Sequence, residues 1–354
     1  MKKVKIPMKN NRFNILKTTA MRNAWVVVFV VAGTTLTATS CADDDGAVAS
    51  GSRQKVQLLV SVPTQTAAAS QHRLADPGTA VPEGTDWDRL TVILAYADGS
   101  RVIKTTLTKE EFEALDDYEN HPGVKLLTID AWLGEAYIYG VTYSSTATGN
   151  PETDINACQS NTAVQGLTIS NTYASGDVAK FVSVATGYYQ TSESNNQPAP
   201  FTVTAEGVGL VSNLPTITLT RLATKIDVQW DVADAYENGY TDMALTKFSL
   251  TGTEKGYLFP AISHSSALAS STATFTNTTP ISQRNGRQYH YTFTDGKTVP
   301  TITFNISGKQ NGTTDVSKDY TLKFQTPLQP ATWYKVNATI SGMEGATEYT
   351  LSKF

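Results

Sequence analysis

From about residue 55 onward, apolar and polar residues alternate with a period of two along much of the chain. In residues 55–63 the side chains of Val56, Leu58, Val60 and Val62 fall on one side of an extended backbone. That pattern predicts a strand with one buried face. Residues 87–97 return to strand around the core run Leu90-Thr91-Val92-Ile93-Leu94-Ala95-Tyr96. Asp98-Gly99 then signals a hairpin, and residues 101–107 form the returning strand. Thr108-Lys109-Glu110-Glu111 is a capping box, so a short helix is expected over 109–116 with Phe112 and Leu115 facing inward. Residues 124–131 and 135–143 are two more strands.

The second half continues in the same way. Thr216 to Leu222 runs into a segment from Ala223 to Val232. Strands are expected at 244–252, 288–294, 301–307, 319–324 and 333–341, with turn signals at Asn285-Gly286, Asp295-Gly296 and Asn311-Gly312. Asn311-Gly312 has the place of a hairpin tip. Strands at 180–190 and 201–205 flank a polar loop. Residues 65–86, rich in Ala, Ser, Thr, Gly and Pro, predict a long exposed loop. Residues 145–172 are polar and show no clear period. Many strands at this spacing with a single short helix predict an all-β protein of sandwiches rather than a parallel sheet. A domain boundary is placed at 214/215. The N-terminal domain is then 55–214 and the C-terminal domain 215–354.

The first 54 residues differ in kind. A basic stretch ending near Arg22 precedes an apolar run from Ala24 to Leu36, and small residues lead into Cys41. That is the layout of a secretory signal over residues 1–40. The run is short for a transmembrane helix, which needs about 20 apolar residues. Small residues followed by Cys resemble a bacterial lipobox, in which Cys41 becomes the lipidated first residue. Asp43, Asp44 and Asp45 resemble the acidic tag of surface lipoproteins of the Bacteroides group. An ordinary signal peptide or an anchor helix is the plainer alternative. Residues 41–54 read as a flexible tether. Removing residues 1–40 leaves 354 − 40 = 314 residues, enough for two domains.

The formal net charge of −4 shows no basic footprint for nucleic acid. With Cys41 lipidated, Cys158 has no disulfide partner, and its polar surroundings predict a loop with an unreactive thiol. The chain has four His residues, His72, His121, His264 and His290, and none forms a pair at metal-ligand spacing. No P-loop, dinucleotide fingerprint or nucleophile elbow is present. No carboxylate pair stands out for glycoside chemistry. Neither a catalytic site nor a cofactor is expected, and the reading is that of a non-enzyme. Trp87, Trp132, Trp230 and Trp333 fall in or beside strands and are expected mostly in the core.

The order of these features resembles the fimbrillins of Bacteroides-type bacteria. It begins with the lipidated Cys41, the alternating strand with Val56, Leu58, Val60 and Val62, the loop with Arg73, and the strand from Leu90. It ends with the Thr220-Arg221-Leu222-Ala223-Thr224-Lys225-Ile226 run and the closing segment Pro330 to Ile340. The resemblance implies two tandem transthyretin-like Greek-key β-sandwich domains in an outer-membrane lipoprotein held by palmitate and other lipid on Cys41. It also implies a mechanism. An Arg-specific maturation protease cuts in the first long loop and removes the first strand, and a strand from another pilin subunit fills the groove, giving a cell-surface pilus used in adhesion. Arg73 is the matching cleavage residue, as the only Lys or Arg between Lys55 and Arg89. A host or bacterial surface receptor is a further implied partner. Only Gly342 to Phe354 follow the last expected strand, too little for a long donor, which points to a tip subunit; a variant stalk subunit and an uncut anchor stay open. The competing reading is a glycan-binding surface lipoprotein of a polysaccharide-uptake system, which would present aromatic side chains on one exposed surface.

Overall fold

The computed structural model describes residues 53–62, 84–119, 121–170, 180–186, 200–204, 214–252, 255–260, 262, 264, 266–268, 272–281, 285–343 and 348–353. In the first half the elements are β1 (Arg53–Ser61), β2 (Arg89–Tyr96), β3 (Val102–Thr108), α1 (Lys109–Glu113), β4 (Asp117–Tyr118), β5 (His121–Trp132) and β6 (Gly134–Tyr143). They continue with α2 (Glu152–Ala157), α3 (Asn161–Gln165), β7 (Thr168–Ser170), β8 (Ser183–Thr186), β9 (Phe201–Val203), β10 (Thr216–Thr218) and β11 (Thr220–Arg221). One sheet has the order β10-β1-β5-β4. The facing sheet has the order β11-β8-β6-β2-β3, with β9 also on β6. A core of Val56, Leu58, Val60, Leu127, Ile129 and Ile217 from the first sheet meets Leu90, Val92, Leu94 and Ile138 from the second.

β2 does not alternate, and its setting explains why. Leu90 to Tyr96 are all buried. One side faces the first sheet. The other side, with Ile93 and Ala95, packs into a second core with Tyr139, Val141, Ile155 of α2, Val164 of α3, and Leu258, Phe259 and Phe293 from the second half. A strand covered on both faces reads as a continuous apolar run. The Thr108 box forms as expected: Glu111 N–H donates to Thr108 Oγ1 at 3.1 Å, and Thr108 N–H donates to Glu111 Oε2 at 2.7 Å.

The second half contains β12 (Thr224–Asp231), α4 (Ala233–Glu237), β13 (Tyr240–Thr251), β14 (Lys255–Tyr257), β15 (Thr272–Ile281), β16 (Asn285–Thr292), β17 (Thr301–Gln310), β18 (Thr314–Lys323), β19 (Trp333–Thr339) and β20 (Glu348–Lys353). Two sheets, β16-β12-β19-β20 and β15-β13-β17-β18, enclose a core of Ile226, Val228, Trp230, Tyr334 and Val336 against Leu245, Leu250, Ile302, Phe304, Ile306 and Leu322. Asn311 and Gly312, at φ 52 and φ 72, turn the β17–β18 hairpin. The two halves repeat one arrangement. β1 lies between antiparallel β5 and parallel β10, and β12 lies between antiparallel β16 and parallel β19. The halves also join directly through β14, which pairs with β7. There Gly256 is pressed so close to Thr294 that a Cβ would stand 2.6 Å from its carbonyl oxygen.

The protein is mostly β with several antiparallel sheets, and three local expectations need correction. Four short helices stand among the described residues where one was expected. α2 and α3 fall in the polar stretch without a period. Each buries a single apolar residue, Ile155 or Val164, so neither carries an amphipathic stripe. Asn285-Gly286 is not a turn but the first two residues of β16. Gly286 is there because a Cβ would lie 2.2 Å from Trp230 Cζ2. The run from Thr216 to Asp231 is three strands in three different sheets rather than one segment. Its first two strands, β10 and β11, complete the sheets of the first half.

Candidate functional site

β1 is an interior strand. All nine of its residues are in register with β5, from Arg53 opposite Trp132 to Ser61 opposite Val124. On the other side Leu59, Val60 and Ser61 run parallel to Thr216, Ile217 and Thr218. Leu59 N–H donates to Pro215 O at 2.9 Å and Leu219 N–H to Ser61 O at 2.8 Å, extending that ladder. Val56, Leu58 and Val60 are fully buried and Val62 is 6% exposed. Each such side chain is worth about 1.5–3 kcal/mol, so the inner face contributes on the order of 6–12 kcal/mol gross. Backbone and side-chain ordering offsets part of this. Without β1, strands β5 and β10 would present unpaired edges on either side of an apolar trough floored by Leu90, Val92, Leu94 and Ile138.

The outer face of β1 carries a second set of contacts, which the alternation did not reveal. The Arg53 guanidinium lies 4.4 Å from the centre of the Trp132 ring, and Arg101, from the β2–β3 turn, lies 5.0 Å from it. Tyr96 fixes Trp132 from below: its hydroxyl donates to Trp132 O at 2.6 Å and its ring meets the indole edge-on at 6.1 Å. Lys55 Nζ is 4.0 Å from Asp130. The signal for these contacts was present as Arg53, Lys55, Asp130 and Trp132, but only strand register brings them together.

Ahead of β2, Gly84 has φ +64, and a Cβ there would stand 2.9 Å from Phe181 O, so glycine is required. Arg73 lies in the intervening connection and, like Cys41, falls outside the described residues.

Other titratable groups serve the fold. Cys158 is buried at the end of α2, and its thiol donates to Asp154 O at 3.3 Å. Burial pushes its pKa up, against the direction a nucleophile needs. His290 lies in β16, where burial lowers its pKa to about 4. Asp295 is buried, which alone would raise its pKa. Bonds from Thr298, Lys297 N–H and Leu268 N–H outweigh that and hold the carboxyl low. Asp227, with no exposed side-chain surface, accepts two bonds from Arg287, at 2.7 and 2.6 Å. Among the described residues no group of three or more His, Cys, Asp or Glu is arranged to hold a metal ion. Trp87 and Trp230 are buried. Trp132 and Trp333 are partly buried on different sheets, each with cationic side chains over its ring. These four tryptophans therefore share no open surface. A polar cleft of about 550 Å³ on β12, β16 and β19 is lined by Gln229, Asp231, Asn285, Arg287, Asn337 and Thr339 among others.

No family model and no curated protein sequence matches the chain. Solved structures do. A candidate cell adhesion protein from Parabacteroides distasonis aligns at TM-score 0.54 and 13% identity, over 84% of this chain and 96% of that one. A second from the same organism aligns at TM-score 0.50 and 12% identity, over 85% and 98%. The chain has the fold of these adhesion proteins. A weaker likeness, at TM-score 0.43 and 10% identity over 85% and 99% of the two chains, is to the tip fimbrial protein Mfa3 from Porphyromonas gingivalis. With the two adhesion proteins, at 12–13% identity, the shared property is the fold, and it spans both halves of the described chain.

Proposed function

We propose that the chain is a structural subunit of a cell-surface fimbria, exported as an outer-membrane lipoprotein on Cys41 and matured by an Arg-specific cut after Arg73. The cut frees β1, and a strand from another subunit takes its place between β5 and β10. The observation that carries this reading is the setting of β1: its inner face is buried, it is interior to its sheet, and it comes first in chain order among the sheet's described strands. Its loss would open a groove that only another strand can close, which is strand addition in its usual physical form. The fold shared with adhesion proteins supports the surface role.

The molecule is then a pair of transthyretin-like Greek-key sandwiches, residues 55–214 and 215–354. The repeated setting of β1 and β12 supports that pairing, with the first sandwich taking β10 and β11 from just beyond the division. β20 pairs with β19 along six residues of its own sheet. A strand engaged in this way is not free to be donated, which supports an accepting, tip-like subunit. The role is structural rather than enzymatic. Treatment of the folded protein with an Arg-specific protease should give one cut with Leu74 as the new N-terminus. Resistance at Arg73, or cutting throughout the chain, would sink the proposal. Robust self-polymerisation of the cut protein would overturn the tip assignment alone.

A further inference from the structure

We propose that the strand accepted in place of β1 is selected by a cation: it carries a basic residue three positions ahead of its first buried aliphatic side chain, stacked on Trp132. This rests on the strand-exchange reading above and names the partner which that groove takes.

Alternation alone cannot choose the occupant. β12 with the residue after it buries Ile226, Val228, Trp230 and Val232 at the same spacing, and β19 with the residue after it buries Tyr334, Val336, Ala338 and Ile340. A groove that read only period-two apolarity would accept either from any copy of this chain. Two features of β1 set it apart. Its four buried residues are all Val or Leu, so slots shaped by Val60 and Val56 have no room for Trp230 or Tyr334 without overpacking. Three positions ahead of the first buried residue β1 has Arg53, whereas β12 has Ala223 and β19 has Ala331. The neighbouring contact does not discriminate in the same way. Lys55 and Asp130 are 4.0 Å apart with side chains 79% and 59% exposed, a pair of little energetic weight, and β12 offers Lys225 at the equivalent position.

Trp132 is built to remain after β1 leaves. Its ring belongs to β5, its carbonyl is held by Tyr96, and Arg101 covers it independently of β1. An indole ring is the best aromatic face for a guanidinium or ammonium group. The vacated groove therefore ends in a fixed aromatic surface at the point where a replacing strand, running antiparallel to β5, presents its leading side chain. The partner is an extended segment with Arg or Lys first, then Val- or Leu-sized residues at the third, fifth, seventh and ninth positions after it.

Two measurements test this. In the uncut chain, amide hydrogen exchange along β1 should quicken roughly fivefold in Arg53→Ala, consistent with an exposed cation–π contact. It should be largely restored in Arg53→Lys, and the effect of Arg53→Ala should vanish in a Trp132→Leu background. Unchanged exchange in Arg53→Ala overturns the proposal whether or not Arg73 is ever cut. In protein cut at Arg73, a labelled copy of residues 53–62 should be retained roughly fivefold longer than the same peptide with Ala in place of Arg53. Equal retention of the two peptides rejects cation selection while leaving strand exchange intact. Retention of neither, with a responsive exchange arm, removes the strand-exchange reading and leaves the Arg53–Trp132 contact as a clamp on β1.

Discussion

The buried face of β1 should hold the strand in place after the covalent link to it is cut, and Leu58→Ala tests this most directly. Leu58 has no exposed surface, stands opposite Leu127 and shares a core with Leu90, Leu94 and Ile138. Truncating a buried Leu to Ala costs about 2–5 kcal/mol, through lost transfer energy and the cavity left behind. Once Arg73 is cut, β1 is held by non-covalent contacts, so this cost appears in the release of the fragment. At about 3 kcal/mol the fragment should leave on the order of a hundredfold faster. The control is Gln57→Ala. Gln57 lies on the other face of the same strand, opposite Thr128, and is only partly buried. A surface change of that kind is worth about 0.5 kcal/mol or less, or roughly twofold in rate. The assay is to cut each variant, dilute it, and follow loss of the β1 fragment from the size-separated protein by mass spectrometry. Comparing two variants of one strand avoids reliance on absolute areas. If both variants release the fragment at similar rates, the apolar trough is not what binds β1 and the groove mechanism loses its physical basis.

Three further outcomes follow from the same structure. His290 has a folded pKa of about 4 against an ordinary value of 6.5. The unfolded chain therefore takes up the proton first, so stability should be complete above about pH 6.5 and fall by roughly 2–3 kcal/mol as pH drops toward 4; denaturant titrations of wild type and His290→Gln should diverge across that window, and parallel curves would refute the assignment. Arg287→Met should cost about 3–5 kcal/mol because it strands the buried Asp227 carboxylate, and adding Asp227→Asn should recover part of it; a simple sum of the two losses in thermal unfolding would count against the pair. Gly286→Ala should cost about 1–3 kcal/mol with a changed near-ultraviolet signal from Trp230, since the new Cβ meets the indole at 2.2 Å; an unchanged melting temperature would show that the ring has room to move.

The strongest local signals were legible because they need no tertiary partner. The Asp98-Gly99 and Asn311-Gly312 hairpins and the Thr108 capping box are each satisfied within a few residues of sequence, and the β1 alternation is written within the strand itself although its apolar face is covered by distant strands. α2 and α3 leave no mark in the sequence because a five- or six-residue helix with one buried side chain has no period. Asn285-Gly286 looks like a turn in sequence, but the demand for glycine there comes from Trp230, far away along the chain and directly across the ladder. Of the candidate site, the four buried side chains of β1 could be named from alternation. Trp132 could not, since its partner Arg53 is 79 residues away and reaches it only through the β1–β5 register.

By itself, the sequence determined the class of the molecule: a β-rich chain that carries a strand with one apolar face. Those properties follow from composition and short-range period, which act along the chain. Only the tertiary structure decided that this strand is interior rather than at an edge. The neighbours on its two sides, β5 and β10, come from the middle and the end of the first half, and hydrogen-bond pairing at such separations is set by the packing of whole sheets. The same strand at an edge would have identical alternation and no groove to leave behind.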